Sequence, residues 1–106
     1  MAYTPGRMHI PFTRDSVSVN TNAQGGSLYL CDAGVAGITI TLPAAAASAD
    51  QMVIVKKTLG TGSVTVDGNG AETIDGVANK VIATQYSTTI FLSDGAGWHI
   101  LNQLTI

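Results

Sequence analysis

From Ser16 onward, apolar and polar side chains alternate with a period of two, the repeat of a β-strand whose faces meet different surroundings. Val17 and Val19 alternate with polar neighbours, and after the turn cluster Asn20 to Gly26 so do Leu28 and Leu30, which predicts the first paired strands. Ile38, Ile40 and Leu42 then alternate with Thr39 and Thr41 until Pro43 stops the ladder, because proline has no amide hydrogen to give a neighbouring strand. Ala44 to Ala49 permits a helix but is too short to hold one alone, and reads as a single turn or small-residue corner. Met52 to Val55 is a continuous apolar run, predicting a strand covered on both faces that emerges into solvent at Lys56 and Lys57.

Two short units follow. Thr65-Val66-Asp67-Gly68 recurs as Thr73-Ile74-Asp75-Gly76, each ending in the Asp-Gly pair that suits the positive φ angles of tight hairpin turns. Val81-Ile82, Ile90 to Leu92 before Asp94-Gly95, and Trp98 to Leu101 complete about eight or nine strands. Valine, isoleucine and threonine number 31 of 106 residues and glycine 12, which favours pleated strands and tight turns over helix bundles. The expected fold is all-β: a compact antiparallel β-sandwich or β-roll in residues 16–106. Six aromatic rings and no possible intrachain disulfide, Cys31 being the single cysteine, leave a thin core. One subunit is expected to leave strand edges and an apolar face uncovered, which a symmetric oligomer would bury.

Residues 1–15 read differently, as an extended N-terminal arm. Pro5 and Pro11 hold their preceding residues extended and remove two backbone donors. Tyr3, Ile10 and Phe12 are spaced as apolar anchors, with Arg7 and Arg14 as pairing groups. The arm carries a net +1 and the remainder −3. No basic run follows a phosphate backbone, so nucleic acid is not an expected partner. No apolar stretch is long enough for a membrane helix, and Met1 to Phe12 lacks the apolar core of a secretion signal.

Candidate chemistry is sparse. Asp67, Glu72 and Asp75 could suggest an acid and base pair, but Asp-Gly turn geometry accounts for Asp67 and Asp75. A calcium loop counted from Asp67 places Ala71 and Ala78 where carboxylates are needed. Gly60-Thr61-Gly62 and Gly68-Asn69-Gly70 complete no phosphate-binding motif and read as hairpin glycines. His9, His99 and Cys31 lack the spacing of a zinc site, and Cys31 has no base beside it in sequence. Trp98 reads as a core filler rather than a sugar-stacking platform. No catalytic role, metal or cofactor is expected.

The succession Ile38-Thr39-Ile40-Thr41-Leu42-Pro43, Val53-Ile54-Val55-Lys56-Lys57-Thr58, Ser63 to Gly68, Glu72 to Gly76, and Phe91 to Gly95 ending in Trp98-His99-Ile100 resembles a module of tailed-bacteriophage virion proteins. The likeness covers about Gly37 to Leu101. It implies a non-enzymatic, commonly trimeric β-unit of the kind found in tail fibres, tailspikes and small capsid-surface proteins. The chain has its own Met1 and lacks heptads or Gly-X-Y repeats, so it is expected to be a capsid decoration or cement trimer. On this reading its partners are the major capsid protein and its own copies, its place is the virion, and it is made in the bacterial host cytoplasm. The alternative is a short tail-fibre or tailspike module that binds a host-surface glycan.

Overall fold

The computed structural model describes residues 12–105. Nine strands build it: β1 (Thr13–Val17), β2 (Thr21–Asn22), β3 (Ser27–Asp32), β4 (Ile38–Thr41), β5 (Met52–Leu59), β6 (Val64–Asp67), β7 (Asn79–Ile82), β8 (Thr88–Ser93) and β9 (Trp98–Leu104). A 3-10 turn, Ala45–Ser48, occupies the expected small-residue corner. The strands form two sheets packed on one core, a five-stranded sheet ordered β1-β3-β5-β8-β9 and a four-stranded sheet ordered β2-β4-β6-β7.

The fold is all-β as expected, but the antiparallel expectation is corrected to two mixed sheets. Successive strands from β1 to β6 alternate between the sheets, so each pairs with the next strand but one, in parallel. The chain therefore winds as a coil whose crossover in each turn is a strand of the opposite sheet. Ser27 lies opposite Val53 and Ile38 opposite Val64, 26 residues on in each case, whereas the first turns are shorter, Thr13 lying opposite Ser27 and Thr21 opposite Ile40. β7 and β8 run against the coil strands, pairing antiparallel with β6 and β5, and β9, antiparallel to β8, returns to the direction of β5.

Corners of successive turns stack closely. The Gly62 amide donates to the Gly34 carbonyl at 2.8 Å and the Ala33 amide to the Leu59 carbonyl at 2.9 Å. A Cβ on Gly62 would collide with the Gly37 backbone, so this corner requires glycine. Gly60 and Gly62 are thus sheet-to-sheet corner residues rather than hairpin glycines. Asp75 and Gly76 do form the expected tight hairpin turn, with φ of 48° and 83° and the Ile74–Val77 bonds closed at 2.7 and 3.0 Å. Asp67-Gly68 does not turn. Asp67 is the last residue of β6, opposite Asn79, and Gly68 lies where any side chain would strike the Glu72 carbonyl.

Tyr29, Cys31, Val53, Val55 and Phe91 fill the core from the five-stranded sheet, and Ile38, Ile40, Val64, Val66 and Ile82 from the other. Burying each large aliphatic or aromatic group contributes about 1.5–3 kcal/mol relative to leaving it exposed. Three details differ from the sequence reading. Thr13 to Asp15, assigned to the arm, belong to β1 in the larger sheet. The Asn20 to Gly26 cluster contains a short strand, β2. Lys57, expected in solvent, is buried because it shares the inner face of β5 with Val53 and Val55, and its Nζ donates to the Ala83 carbonyl at 2.7 Å.

Candidate functional site

Of the five expected partner-binding residues, Tyr3, Arg7 and Ile10 lie outside the described residues. Phe12 is half-buried just ahead of β1, and Arg14 is exposed on β1 opposite Leu28. His9 also lies outside the described residues. Phe12 and Arg14 are therefore the members of the expected set that fall among the described residues.

The carboxylates that suggested chemistry hold backbone in place. Glu72 Oε1 accepts the Ala45 amide at 3.0 Å, fixing the 3-10 corner. Asp75 Oδ2 accepts the Ile100 amide at 3.1 Å, tying its hairpin to β9. Asp94 Oδ1 accepts both the Ala96 and Gly97 amides at 2.8 Å, closing the turn between β8 and β9. Trp98 is buried, with its Nε1 donating to the Pro43 carbonyl at 3.1 Å, in keeping with its reading as core. Cys31 is fully buried, and burial pushes its thiol up to about 12, which keeps it protonated and unreactive at neutral pH.

Among the described residues, His99 forms a surface cluster with Asp94 and Asp75. Its Nε2 lies 2.7 Å from Asp94 Oδ2 and its Nδ1 3.4 Å from Asp75 Oδ1, all three about half exposed. The Asp94 hydrogen bond raises the His99 pKa above its ordinary value. The same bond, helped by the Ala96 and Gly97 amides, holds the Asp94 carboxyl well below the usual carboxylate range. Both ring nitrogens thus face carboxylates that also organise turns.

The larger feature is a face of the sheet. In β3, β5 and β8 the residues alternate between core and exterior, and both sets contain large apolar side chains. Leu28 and Leu30, Met52 and Ile54, and Ile90 and Leu92 point away from the core as half-covered residues. The register joins them: Leu28, Ile54 and Ile90 form one row across the sheet, with Met52 beside Leu92 and Leu30 beside Lys56 on either side. Among partly buried apolar residues, only Val17 and Ile100 pack on the core. All six outward residues are partly covered, and none ranks among the exposed large apolar residues. The sequence signal was present as consecutive apolar residues, Leu28-Tyr29-Leu30-Cys31 and Ile90-Phe91-Leu92. Period-two reading took Leu28 and Leu30 as the meaningful set, whereas Tyr29 and Cys31 face the core.

Among the described residues, no helix is long and apolar enough to cross a membrane. Compared with protein-family models and with curated proteins, the chain finds no match in either.

Proposed function

We propose that this chain is a structural protein of a tailed-bacteriophage virion, a trimeric capsid decoration (cement) protein that stabilises the head by binding across capsid subunits. The observation that carries this reading is the five-stranded sheet, apolar on its outer face across three adjacent strands. A face of this composition is suited to assembly. Supporting it, the potentially catalytic carboxylates Glu72, Asp75 and Asp94 are engaged with backbone amides. The resemblance of Gly37 to Leu101 to phage virion modules points the same way.

Capsid attachment falls to the N-terminal segment with Tyr3, Arg7 and Ile10. Because β1 begins at Thr13, the appropriate truncation removes residues 1–11 and spares the sheet. Interface anchors of these types cost about 1–4 kcal/mol each when removed, so affinity for undecorated capsids falls on the order of 100-fold or more. The measurement is cosedimentation of full-length and truncated protein with undecorated capsids. Equal binding of the two would remove the arm from the interface. A full-length protein that bound host cells and ignored capsids would establish the tail-fibre alternative.

A further inference from the structure

One end of the coil is closed by three segments that meet at the start of β9: the 3-10 corner, the hairpin between β6 and β7, and the turn between β8 and β9. Ser93 Oγ donates to the Ala45 carbonyl at 2.7 Å and Trp98 Nε1 to the Pro43 carbonyl at 3.1 Å, which ties the corner down. The hairpin is joined to β9 through its backbone, the Trp98 amide donating to the Thr73 carbonyl at 3.2 Å and the Asp75 amide to the Trp98 carbonyl at 3.0 Å. Those bonds fix the base of the hairpin. Its tip, Asp75-Gly76-Val77, is exposed.

His99 adds a tie of another kind. Its ring stands between the tip and the neighbouring turn, with Nε2 2.7 Å from Asp94 Oδ2 and Nδ1 3.4 Å from Asp75 Oδ1. The other oxygen of each carboxylate is committed to backbone, Asp94 Oδ1 to the Ala96 and Gly97 amides and Asp75 Oδ2 to the Ile100 amide. Among the described residues, the charged groups that meet the ring are these two, one from each flanking segment. Leu92, opposite His99 on β8, is apolar, and Glu72 of the same hairpin turns to the Ala45 amide instead.

The number of protons on the ring decides how many carboxylates it can hold. Imidazolium has two N–H donors, one for each side, whereas neutral imidazole has one donor and one lone pair. When the proton leaves, one nitrogen must turn its lone pair toward a carboxylate oxygen, and the two repel. Distance selects which. The 2.7 Å contact of Nε2 with Asp94 is a short charge-assisted bond, and Asp94 is held further by two amides. The 3.4 Å contact of Nδ1 with Asp75 is the weaker and gives up its hydrogen. Asp75 then faces a lone pair, and it withdraws only by slackening its bond to Ile100, because both oxygens belong to one carboxylate.

We infer that His99 is a proton-operated clasp at this end of the coil. Protonated, it holds the hairpin tip and the β8–β9 turn together; deprotonated, it keeps the turn and releases the Asp75 side chain from the ring and from Ile100. The clasp is a property of the single chain and operates whether or not the chain serves a capsid.

Nuclear magnetic resonance of the full chain tests it. Long-range nitrogen spectra follow both ring nitrogens through a pH titration, with His99→Gln separating the His99 signals from those of His9. Above its titration His99 should stand as the Nε2–H tautomer. Through the same step, protection of the Ile100 amide from solvent exchange, referred to its intrinsic rate at each pH, should fall about 2- to 10-fold, the range of one hydrogen bond. The Ala96 and Gly97 amides should keep their protection. Asp75→Asn should abolish the step, since asparagine tolerates the φ of 48° at this position and presents no charge to the lone pair. An Nδ1–H tautomer, an Ile100 amide protected equally on both sides of the titration, or a step of the same size in Asp75→Asn or His99→Gln would overturn the clasp. Each of these outcomes leaves capsid attachment standing, because cosedimentation measures that separately.

Discussion

The two sheets share a core and a winding chain, yet their outer faces have opposite compositions. Outward positions of the four-stranded sheet are Thr39 and Thr41 on β4, Thr65 and Asp67 on β6, and Asn79 and Val81 on β7, with Val81 the single aliphatic residue. Outward positions of the five-stranded sheet include Leu28 and Leu30 on β3, Met52 and Ile54 on β5, and Ile90 and Leu92 on β8, with Asp32, Lys56, Thr58 and Thr88 gathered toward one end of these strands. Threonine keeps the β-branched shape that suits a strand while offering water a hydroxyl. A sheet dressed in this way is finished when the monomer folds. The apolar sheet carries a second apolar surface, and this contrast is why the proposed assembly is assigned to that side of the molecule.

The largest expected effect separates the two faces of one strand. Phe91 is fully buried while its neighbours Ile90 and Leu92 point outward. Phe91→Ala should cost about 3–5 kcal/mol through lost transfer energy and a residual cavity, measured by urea unfolding of dissociated protein. A loss below 1 kcal/mol would mean that the inner face is not the core.

A smaller effect on the subunit is expected when the apolar sheet is made to resemble its partner. The triple variant Leu28→Thr, Ile54→Thr and Ile90→Thr removes cross-strand apolar pairs worth about 0.2–1 kcal/mol each, so the subunit should remain folded by circular dichroism while oligomer mass is lost. Unfolding of this variant at a low concentration where the wild type remains folded would show that the outer face also sustains the monomer.

Glu72 tests the corner that joins the sheets. Glu72→Ala leaves the amide of buried Ala45 without its acceptor at 3.0 Å and should cost about 1–2 kcal/mol. Thermal unfolding at neutral pH measures it, and an unchanged midpoint would show that water replaces the carboxylate freely.

The smallest effect is electrostatic and sits at the acidic end of the apolar sheet. Because Asp94 raises the folded-state pKa of His99, the pair contributes fully below the unfolded value of about 6.5 and loses its contribution as pH rises through the higher folded value. Asp94 has the opposite sign: its depressed pKa contributes above the ordinary carboxylate value and is lost as pH falls through its folded value. Stability should therefore decline modestly as pH rises above about 6.5, and His99→Gln should flatten that limb. A decline of equal size in His99→Gln would assign it to other groups.

Most strand segments, the 3-10 corner at Ala45–Ser48 and the Asp75-Gly76 hairpin were legible because each depends on residues adjacent in sequence. The parallel coil was not. Alternation in Ile38-Thr39-Ile40-Thr41 looks the same whether the strand pairs with the next strand or with the next but one, and only the latter makes the ladder parallel. The equivalence of Asp67-Gly68 and Asp75-Gly76 failed for a related reason: the same dipeptide ends a strand in one place and turns a hairpin in the other, according to what lies opposite. The candidate assembly face was legible only in part, since consecutive apolar residues announced two buried faces without saying which faced the core.

By itself the sequence determined that this protein is all-β, with a small-residue corner and a tight Asp-Gly turn, since strand propensity, period-two alternation and positive φ are local properties. Tertiary structure alone decided that Tyr29 and Cys31 rather than Leu28 and Leu30 enter the core, that Lys57 is buried, and that the coil runs parallel. Those outcomes follow from which strand becomes whose neighbour, because a strand apolar on both faces can turn either one inward, and the choice is made by the packing of residues far apart in the chain.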